Sequence, residues 1–423
     1  MNIVCFKNGV RLIYKKSQSN LTSFCIGFEA GANKDPEGYY GIAHAVEHMV
    51  YKGTNTKDEH EINEKIDELF GFSNAMTNYP YVVYYGTCLS EDFQQGFKLH
   101  SDFLIHPAFS EKGFKEEMDV IKEELKEWKE DAYQHCEDLC FYHGFKKKRV
   151  RELIIGNCET LENIALEDIR EFHKKHYVGE NCVVSVTSNL DLDIIIDIVE
   201  DGFRDIKPQY CEEHIVLHEV NAAGIFKDEI GSESCKINFV YSLDNLTSEE
   251  IMNFRVFNNF FAEGVSSLLY NEIRTKRGLS YEVGAKLKDE KGVEIYKIYL
   301  GTSSEKADVA VEVVNQLIYK IKNNIIKIKS ETIDKAIKNL KLKQSIDLEK
   351  SIVHSFRLCI MEIMGDKKDK KLYCSTSNDN NFAIHDYISP LYYDELCLNT
   401  IDEKTILAVV NKVLKDPTIE IMT

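Results

Sequence analysis

Hydrophobic and polar positions first alternate with the two-residue period of half-buried strands. Val4 to Phe6 and Val10 to Tyr14 flank Lys7-Asn8-Gly9, and Asn-Gly between two such runs predicts a hairpin. Ser23 to Phe28 gives a further strand. From Tyr40 to about Tyr51 the spacing turns helical, and Lys52-Gly53-Thr54 ends it with a glycine suited to a helix C-terminus. Residues 58–70 place Ile62, Ile66, Leu69 and Phe70 on one side of a second helix. Val82 to Leu89 reads as strand. Long helical patterns follow over 91–105 and 111–145, then shorter helices and an apolar strand, Cys182 to Thr187.

The stretch 203–222 combines Pro208, charges and few periodic apolar positions, which marks a linker. Beyond it the order repeats in outline. Strand (236–242), helix (248–273), strands (280–285 and 293–301) and helices (305–323 and 330–346) precede a final helix and strand, Ile401 to Val413 and Ile419 to Met422. A chain of 423 residues is too long for one ordinary core. The pattern predicts an α+β protein of two similar domains, 1–212 and 213–423, each a largely antiparallel sheet packed with long helices.

Charge narrows the partners. Lys plus Arg number 52 against 70 Asp plus Glu, a formal charge of −18, which argues against nucleic acid and suits a basic peptide better. No run approaches the ~18 apolar residues of a membrane span. The N-terminal MNIVCFKNGVRLIYKK lacks an apolar signal-peptide core, so a cytoplasmic location is the plain expectation. Twelve cysteines are scattered without the dense spacing of a disulfide scaffold, which predicts free thiols. Cys136 and Cys140, at i and i+4, could share a metal, but two more ligands at matching spacing are missing.

The most informative run is Gly41-Ile42-Ala43-His44-Ala45-Val46-Glu47-His48-Met49. His44, Glu47 and His48 stand at i, i+3 and i+4, so a helix puts all three on one narrow face. Two imidazoles one turn apart can reach a single Zn²⁺, and the glutamate between them is close enough to accept a proton from water there. A catalytic zinc wants a third protein ligand. Residues 111–130 offer Glu117 and Glu124, two helical turns apart on one face, although so much Glu and Lys is by itself an ordinary solvated exterior.

GIAHAVEHMVYKGT resembles the signature of the insulinase, pitrilysin and mitochondrial processing peptidase family. There the H-x-x-E-H motif is followed, some seventy-five residues later, by the glutamate that completes the zinc site. Glu124 lies 76 residues after His48, inside EMDVIKEE, which resembles that helix. The resemblance implies Zn²⁺, one per chain, on His44, His48 and Glu124, with Glu47 as catalytic base and Glu117 as supporting carboxylate. Ser73-Asn74-Ala75-Met76-Thr77 is similar to the family's substrate-pairing edge strand, which implies peptide binding at Asn74, Ala75 and Thr77; Tyr84 takes the place of the aromatic that follows it. EGVSSLLYNEIRTKRGLSYEVGA is similar to the family's second-half segment, and implies that Arg274 and Tyr281 grip the substrate carbonyl. On the residues alone, Arg274 is a helix-end cation and Tyr281 a strand core aromatic. Ala45, where the family often has a bulky aromatic, and Pro80 just past the edge strand depart from the pattern.

The resemblance also implies an architecture and an activity. Four half-units close into a chamber in such enzymes, so this chain would form half of a clamshell and pair with a second copy or a related chain. Each site would then take its zinc from one chain and Arg274 with Tyr281 from the other. The implied enzyme is a zinc endopeptidase acting on unfolded peptides or on presequence and leader segments. The alternative is a zinc-bound subunit that captures peptide without cleaving it.

Overall fold

The computed structural model describes residues 1–209, 217–229, 231, 234–365, 382–386 and 398–423. Its strands run in chain order β1 (Asn2–Phe6), β2 (Arg11–Lys16), β3 (Leu21–Phe28), β4 (Phe70–Thr77), β5 (Val82–Leu89), β6 (Cys182–Ser188), β7 (Gly224–Asp228), β8 (Ser234–Ser242), β9 (Glu282–Lys288), β10 (Ile295–Ser303), β11 (Phe382–Asp386) and β12 (Thr418–Met422). The helices are α1 (Ile42–Val50), α2 (Glu59–Leu69), α3 (Phe93–Ile105), α4 (Glu111–Glu130), α5 (Ala132–Gly144), α6 (Cys158–Asn163), α7 (Leu166–His176), α8 (Leu192–Gly202), α9 (Ser248–Ala262), α10 (Leu268–Tyr270), α11 (Ala307–Lys322), α12 (Ser330–Glu349), α13 (Ser351–Met364) and α14 (Glu403–Val413).

Two compact units result, and both are α+β. Neither is continuous in sequence. The first comprises Met1–Leu125, Leu153–Ile215 and Ile346–Tyr392; the second comprises Lys126–Glu152, Val216–Ser345 and Tyr393–Thr423. The expected division into 1–212 and 213–423 lacks this exchange, in which α5 folds with the second unit and α13 with the first. Part of the expected linker, 210–216, lies outside the described residues.

The first unit is built on a seven-stranded sheet, β11-β1-β2-β6-β3-β5-β4, antiparallel except where β2 meets β6. Strand β6 is buried along its whole length and β3 along all but its first residue. Continuous burial means that both faces are covered. Phe24, Ile26 and Phe28 point into the main core with residues of α1, α3, α7 and α8. Cys25 and Val183 point the other way, onto Leu358, Cys359 and Ile363 of α13. Gly27 lets that helix approach: a Cβ there would fall 2.6 Å from Ile363 Cδ1 and 2.7 Å from Cys359 Sγ. Among the described residues, strand β4 forms one edge of this sheet and β11 the other.

The second unit carries a five-stranded sheet, β7-β12-β8-β10-β9, in which only β7 and β12 run parallel. Phe239, Tyr241, Tyr296 and Ile298 pack against α9, α11 and α14. The other face of β8 and β12 receives α5 and is more polar. Glu137 of α5 is ion-paired with Lys297 of β10. Cys136 and Cys140 are buried, with their thiols on the backbone carbonyls of Lys236 (3.4 Å) and Thr418 (3.5 Å), and they join no metal-ligand group among the described residues.

Three expectations need correction. The single helix over 111–145 is two, because the Asp131 carboxylate accepts the N–H groups of Tyr133 and Gln134 and starts α5 afresh. The helix over 248–273 stops at Ala262, before Gly264 at φ +81°. Eight described cysteines are free thiols, but Cys5 is disulfide-bonded. Among the described residues, no helix is long and apolar enough to cross a membrane.

Candidate metal centre

Helix α1 begins at Gly41, whose φ of +102° is left-handed and whose missing side chain avoids the Ile155 carbonyl 2.5 Å from where a Cβ would lie. The Asp35 carboxylate caps this end, accepting from the N–H of Gly41 (2.9 Å) and of Ala43 (3.1 Å). A negative charge at a helix start is favourable. Ile42, Ala43, Val46, Met49 and Val50 are buried, which fixes the roll of the helix and leaves His44, Glu47 and His48 on its other, half-buried side.

Helix α4 faces that side. Its Met118, Ile121 and Leu125 are buried. Glu124 Oε2 lies 3.8 Å from His44 Nε2 and 3.7 Å from His48 Nε2, and ligand atoms of all three residues fall within 4.8 Å of one another. Around a tetrahedral ion with bonds of about 2.0–2.2 Å, neighbouring ligand atoms are roughly 3.4 Å apart. Two nitrogens and one oxygen at this spacing suit Zn²⁺ and leave a fourth position open.

The two imidazoles are held differently. His48 Nδ1 meets Glu117 Oε2 at 2.9 Å, which leaves Nε2 free for a metal when Nδ1 carries the proton. Glu117 in turn accepts from Lys52 at 3.0 Å, and Lys52 also pairs with Glu59 at 2.6 Å. Among the described residues His44 Nδ1 is buried without a hydrogen-bond partner, so no bond at that nitrogen orients the ring. Burial, then the neighbouring His48, pushes the His44 pKa down to about 3 in the metal-free protein, so it offers a neutral ligand. Burial also opposes charge on His48, but the Glu117 hydrogen bond and the surrounding carboxylates outweigh it and raise its pKa.

Glu47 is held by a residue from another element. The Thr77 hydroxyl at the end of β4 donates to Glu47 Oε2 at 2.5 Å. Burial raises the Glu47 pKa, partly offset by this bond and by His48. Thr77 was expected at the substrate edge; it ends β4, and its side chain is buried against the Glu47 carboxylate. Asn74 is exposed and Ala75 half-exposed on the β4 edge. Tyr84 is fully buried, with its hydroxyl 2.8 Å from that of Tyr177. Neither the Thr77 bond nor the Lys52 and Asp35 contacts has a local sequence signal, except that Lys52 follows His48 by one helical turn.

In the second unit, Arg274 sits in the turn after α10, anchored by the buried Ile273. Its Nη1 donates to the Tyr281 carbonyl at 3.3 Å, and the guanidinium lies 5.1 Å from the Tyr270 ring and 5.8 Å from that of Tyr281. Tyr281 is 90% exposed, so it is no core aromatic.

Residues 11–157 match the family model described as "Insulinase (Peptidase family M16)", and residues 163–340 match "Peptidase M16 inactive domain". Over 94% of its length the chain is 26% identical to an uncharacterized zinc protease of Rickettsia bellii, covering 91% of that protein. It is 26% identical to mitochondrial-processing peptidase subunit beta of Dictyostelium discoideum, over 55% of this chain and 48% of that one. A protease from Helicobacter pylori has the same fold, with a TM-score of 0.85 at 17% identity over 100% of this chain and 99% of the other. The fold and the two family models define a peptidase-type chain of two α+β units. The chain belongs to the insulinase family, M16.

Glu117 gives a direct check on the support of the centre. Glu117→Ala is expected to weaken zinc affinity by about 10–100-fold without removing a ligand. Titration against a chelator of known affinity measures this, and an unchanged affinity would show that His48 needs no such support.

Proposed function

We propose that this chain is a zinc-dependent endopeptidase acting on extended, unfolded peptides, presequence or leader segments among them. One observation carries the reading: His44 Nε2 and His48 Nε2 converge on one Glu124 oxygen while Glu47, between them on the same helix, is held by Thr77. Bound there, Zn²⁺ would act as a Lewis acid that brings the pKa of water toward ~7 and polarises a carbonyl. Glu47 would take the proton from the attacking water and pass it to the leaving amine. Thr77 steers the carboxylate. Asn74 and Ala75 would hold substrate backbone as a strand added to the β4 edge.

Arg274 and Tyr281 would bind the substrate carbonyl and the charge that develops on it. We place them in an active site completed by a second chain, this one or a related one; the curated relative named as a subunit supports a paired assembly. Mixing Glu47→Gln with Arg274→Ala protein, each nearly inactive, is then expected to restore activity, because mixed dimers hold one intact site. No recovery after subunit exchange would mean that Arg274 does not serve a partner's zinc site. The formal charge of −18 favours cationic peptides in a cytoplasmic setting, with a preference that weakens as salt rises.

Metal removal tests the whole reading. Chelation is expected to abolish cleavage of a mixed peptide library, and added Zn²⁺ to restore it. A zinc-loaded protein that cuts nothing would favour a peptide-capture subunit, and cleavage indifferent to chelation would sink the metallopeptidase reading.

A further inference from the structure

The geometry points to a second divalent-cation site, in the second unit, formed by His143, Asp228 and Glu420. These residues come from the last turn of α5, the end of β7 and the middle of β12, and one ligand atom from each lies within 4.8 Å of the others.

Glu420 is the centre of the argument. Its side chain is fully buried; Oε2 lies 2.8 Å from His143 Nδ1, and among the described residues no N–H or hydroxyl group donates to Oε1. Asp228 brings a second carboxylate against it. Among the described residues, neither carboxylate has a lysine or arginine partner within ion-pair distance. Two carboxylates facing each other where one is fully buried need positive charge between them, from a proton or a cation.

Position favours the cation. His143 is clamped by Phe226, which stacks on it at 4.4 Å between ring centroids and 11° between planes. Strand β7 pairs with β12 so that Phe226 stands opposite Glu420 and Asp228 opposite Met422. The Thr423 N–H donates to the Asp228 carbonyl at 2.9 Å, which pins the strand end beside the cluster. The ligands thus sit on regular elements with fixed backbones. The 2.8 Å approach of His143 to Glu420 has to open by about 0.6 Å to become one edge of a tetrahedral shell with bonds of about 2.0–2.2 Å. His143 and Asp228 are only half-buried, which leaves a path for the ion and room for water ligands.

One imidazole nitrogen and two carboxylate oxygens select a first-row transition ion such as Zn²⁺ over Ca²⁺ or Mg²⁺, which prefer all-oxygen shells. An ion here would have a structural role. It would tie α5, the helix that the second unit receives from early in the chain, to the strand that ends it. This site is independent of the centre on α1 and of any peptidase activity.

The test uses the full chain carrying His44→Ala and His48→Ala, so that the first centre holds no metal. After equilibrium dialysis against micromolar Zn²⁺, metal analysis is expected to find one Zn²⁺ per chain, and added Zn²⁺ to raise the thermal midpoint by several degrees. Adding Asp228→Asn, a conservative change at a strand end, or Glu420→Gln is expected to remove both effects. Native fluorescence from Trp128, in the same unit, shows that each variant is folded. A folded double variant that binds no Zn²⁺ overturns the site and leaves a shared proton between the carboxylates. Stoichiometric zinc that survives Asp228→Asn together with His143→Gln overturns it as well.

Discussion

Glu47→Gln is expected to lower peptide hydrolysis by about 10²–10⁴-fold while leaving zinc at the α1 centre in place. The substitution keeps the shape of the side chain and an oxygen for the Thr77 hydroxyl, 2.5 Å away in the native protein. On the proposed reading, it removes the carboxylate that carries the proton while leaving the metal ligands in place. His44, His48 and Glu124 are untouched, so zinc content should match the wild type. The comparison has to be between variant and wild type, since an ion on His143, Asp228 and Glu420 would add to the total. Rates on a single peptide from the library, with metal content measured on the same samples, decide it. A Gln variant that cuts within a factor of ten of wild type would remove Glu47 from the chemistry. A variant that loses zinc would make Glu47 part of the metal shell instead.

What could be read from the sequence divides by distance along the chain. His44, Glu47 and His48 share a face because helical geometry fixes three neighbouring side chains whatever the rest of the chain does. The seven-residue interval from Glu117 to Glu124 works in the same way, and the structure brings both of these to α1, one to His48 Nδ1 and the other to both Nε2 atoms. Thr77 could not be assigned to Glu47, because that contact depends on where β4 ends relative to α1. The break at Asp131 was within reach. An aspartate two residues before Tyr133 is an ordinary helix start, but apolar periodicity on both sides concealed it.

The exchange of α5 and α13 is the larger omission, and it had a signal. Cys182 to Thr187 is apolar without alternation, and a strand buried on both faces needs a second covering layer. The helices assigned to the first half cover one face. The amphipathic run that became α13 passed without assignment, and it is the segment that closes the other face on Cys25 and Val183. In the second unit the corresponding layer is α5, and there the sheet presents Asn238, Lys297 and Glu420 rather than an apolar surface. A polar face under a helix requires specific pairs, and no pattern of hydrophobic positions encodes those.

One such pair anchors the end of the exchanged segment, and breaking it is expected to cost the second unit about 3–5 kcal/mol. Lys148 is fully buried, with its Nζ 2.5 Å from Asp244 Oδ1 and 3.2 Å from Glu294 Oε2. The three successive N–H groups of Lys146, Lys147 and Lys148 donate to Glu219 at 2.8–2.9 Å, and the Glu219 N–H donates to Asp244. Lys148→Met keeps the bulk and leaves the Asp244 carboxylate buried without its counter-charge. Burial already raises the Asp244 pKa, and the lysine is the main influence holding it down. Without the lysine, the folded-state pKa rises further above its unfolded value. The folded state then gains by binding a proton, so the penalty is smallest in acid and grows as pH rises through the folded pKa. Trp128, the only tryptophan in the chain, is hydrogen-bonded to Asp138 within this unit at 2.9 Å and reports its unfolding in urea. Adding Asp244→Asn to Lys148→Met should recover much of the loss and flatten its pH dependence, because both charges are then gone. A Lys148→Met midpoint near wild type at neutral pH, or a penalty independent of pH, would mean that water and the Glu219 N–H suffice to accommodate Asp244.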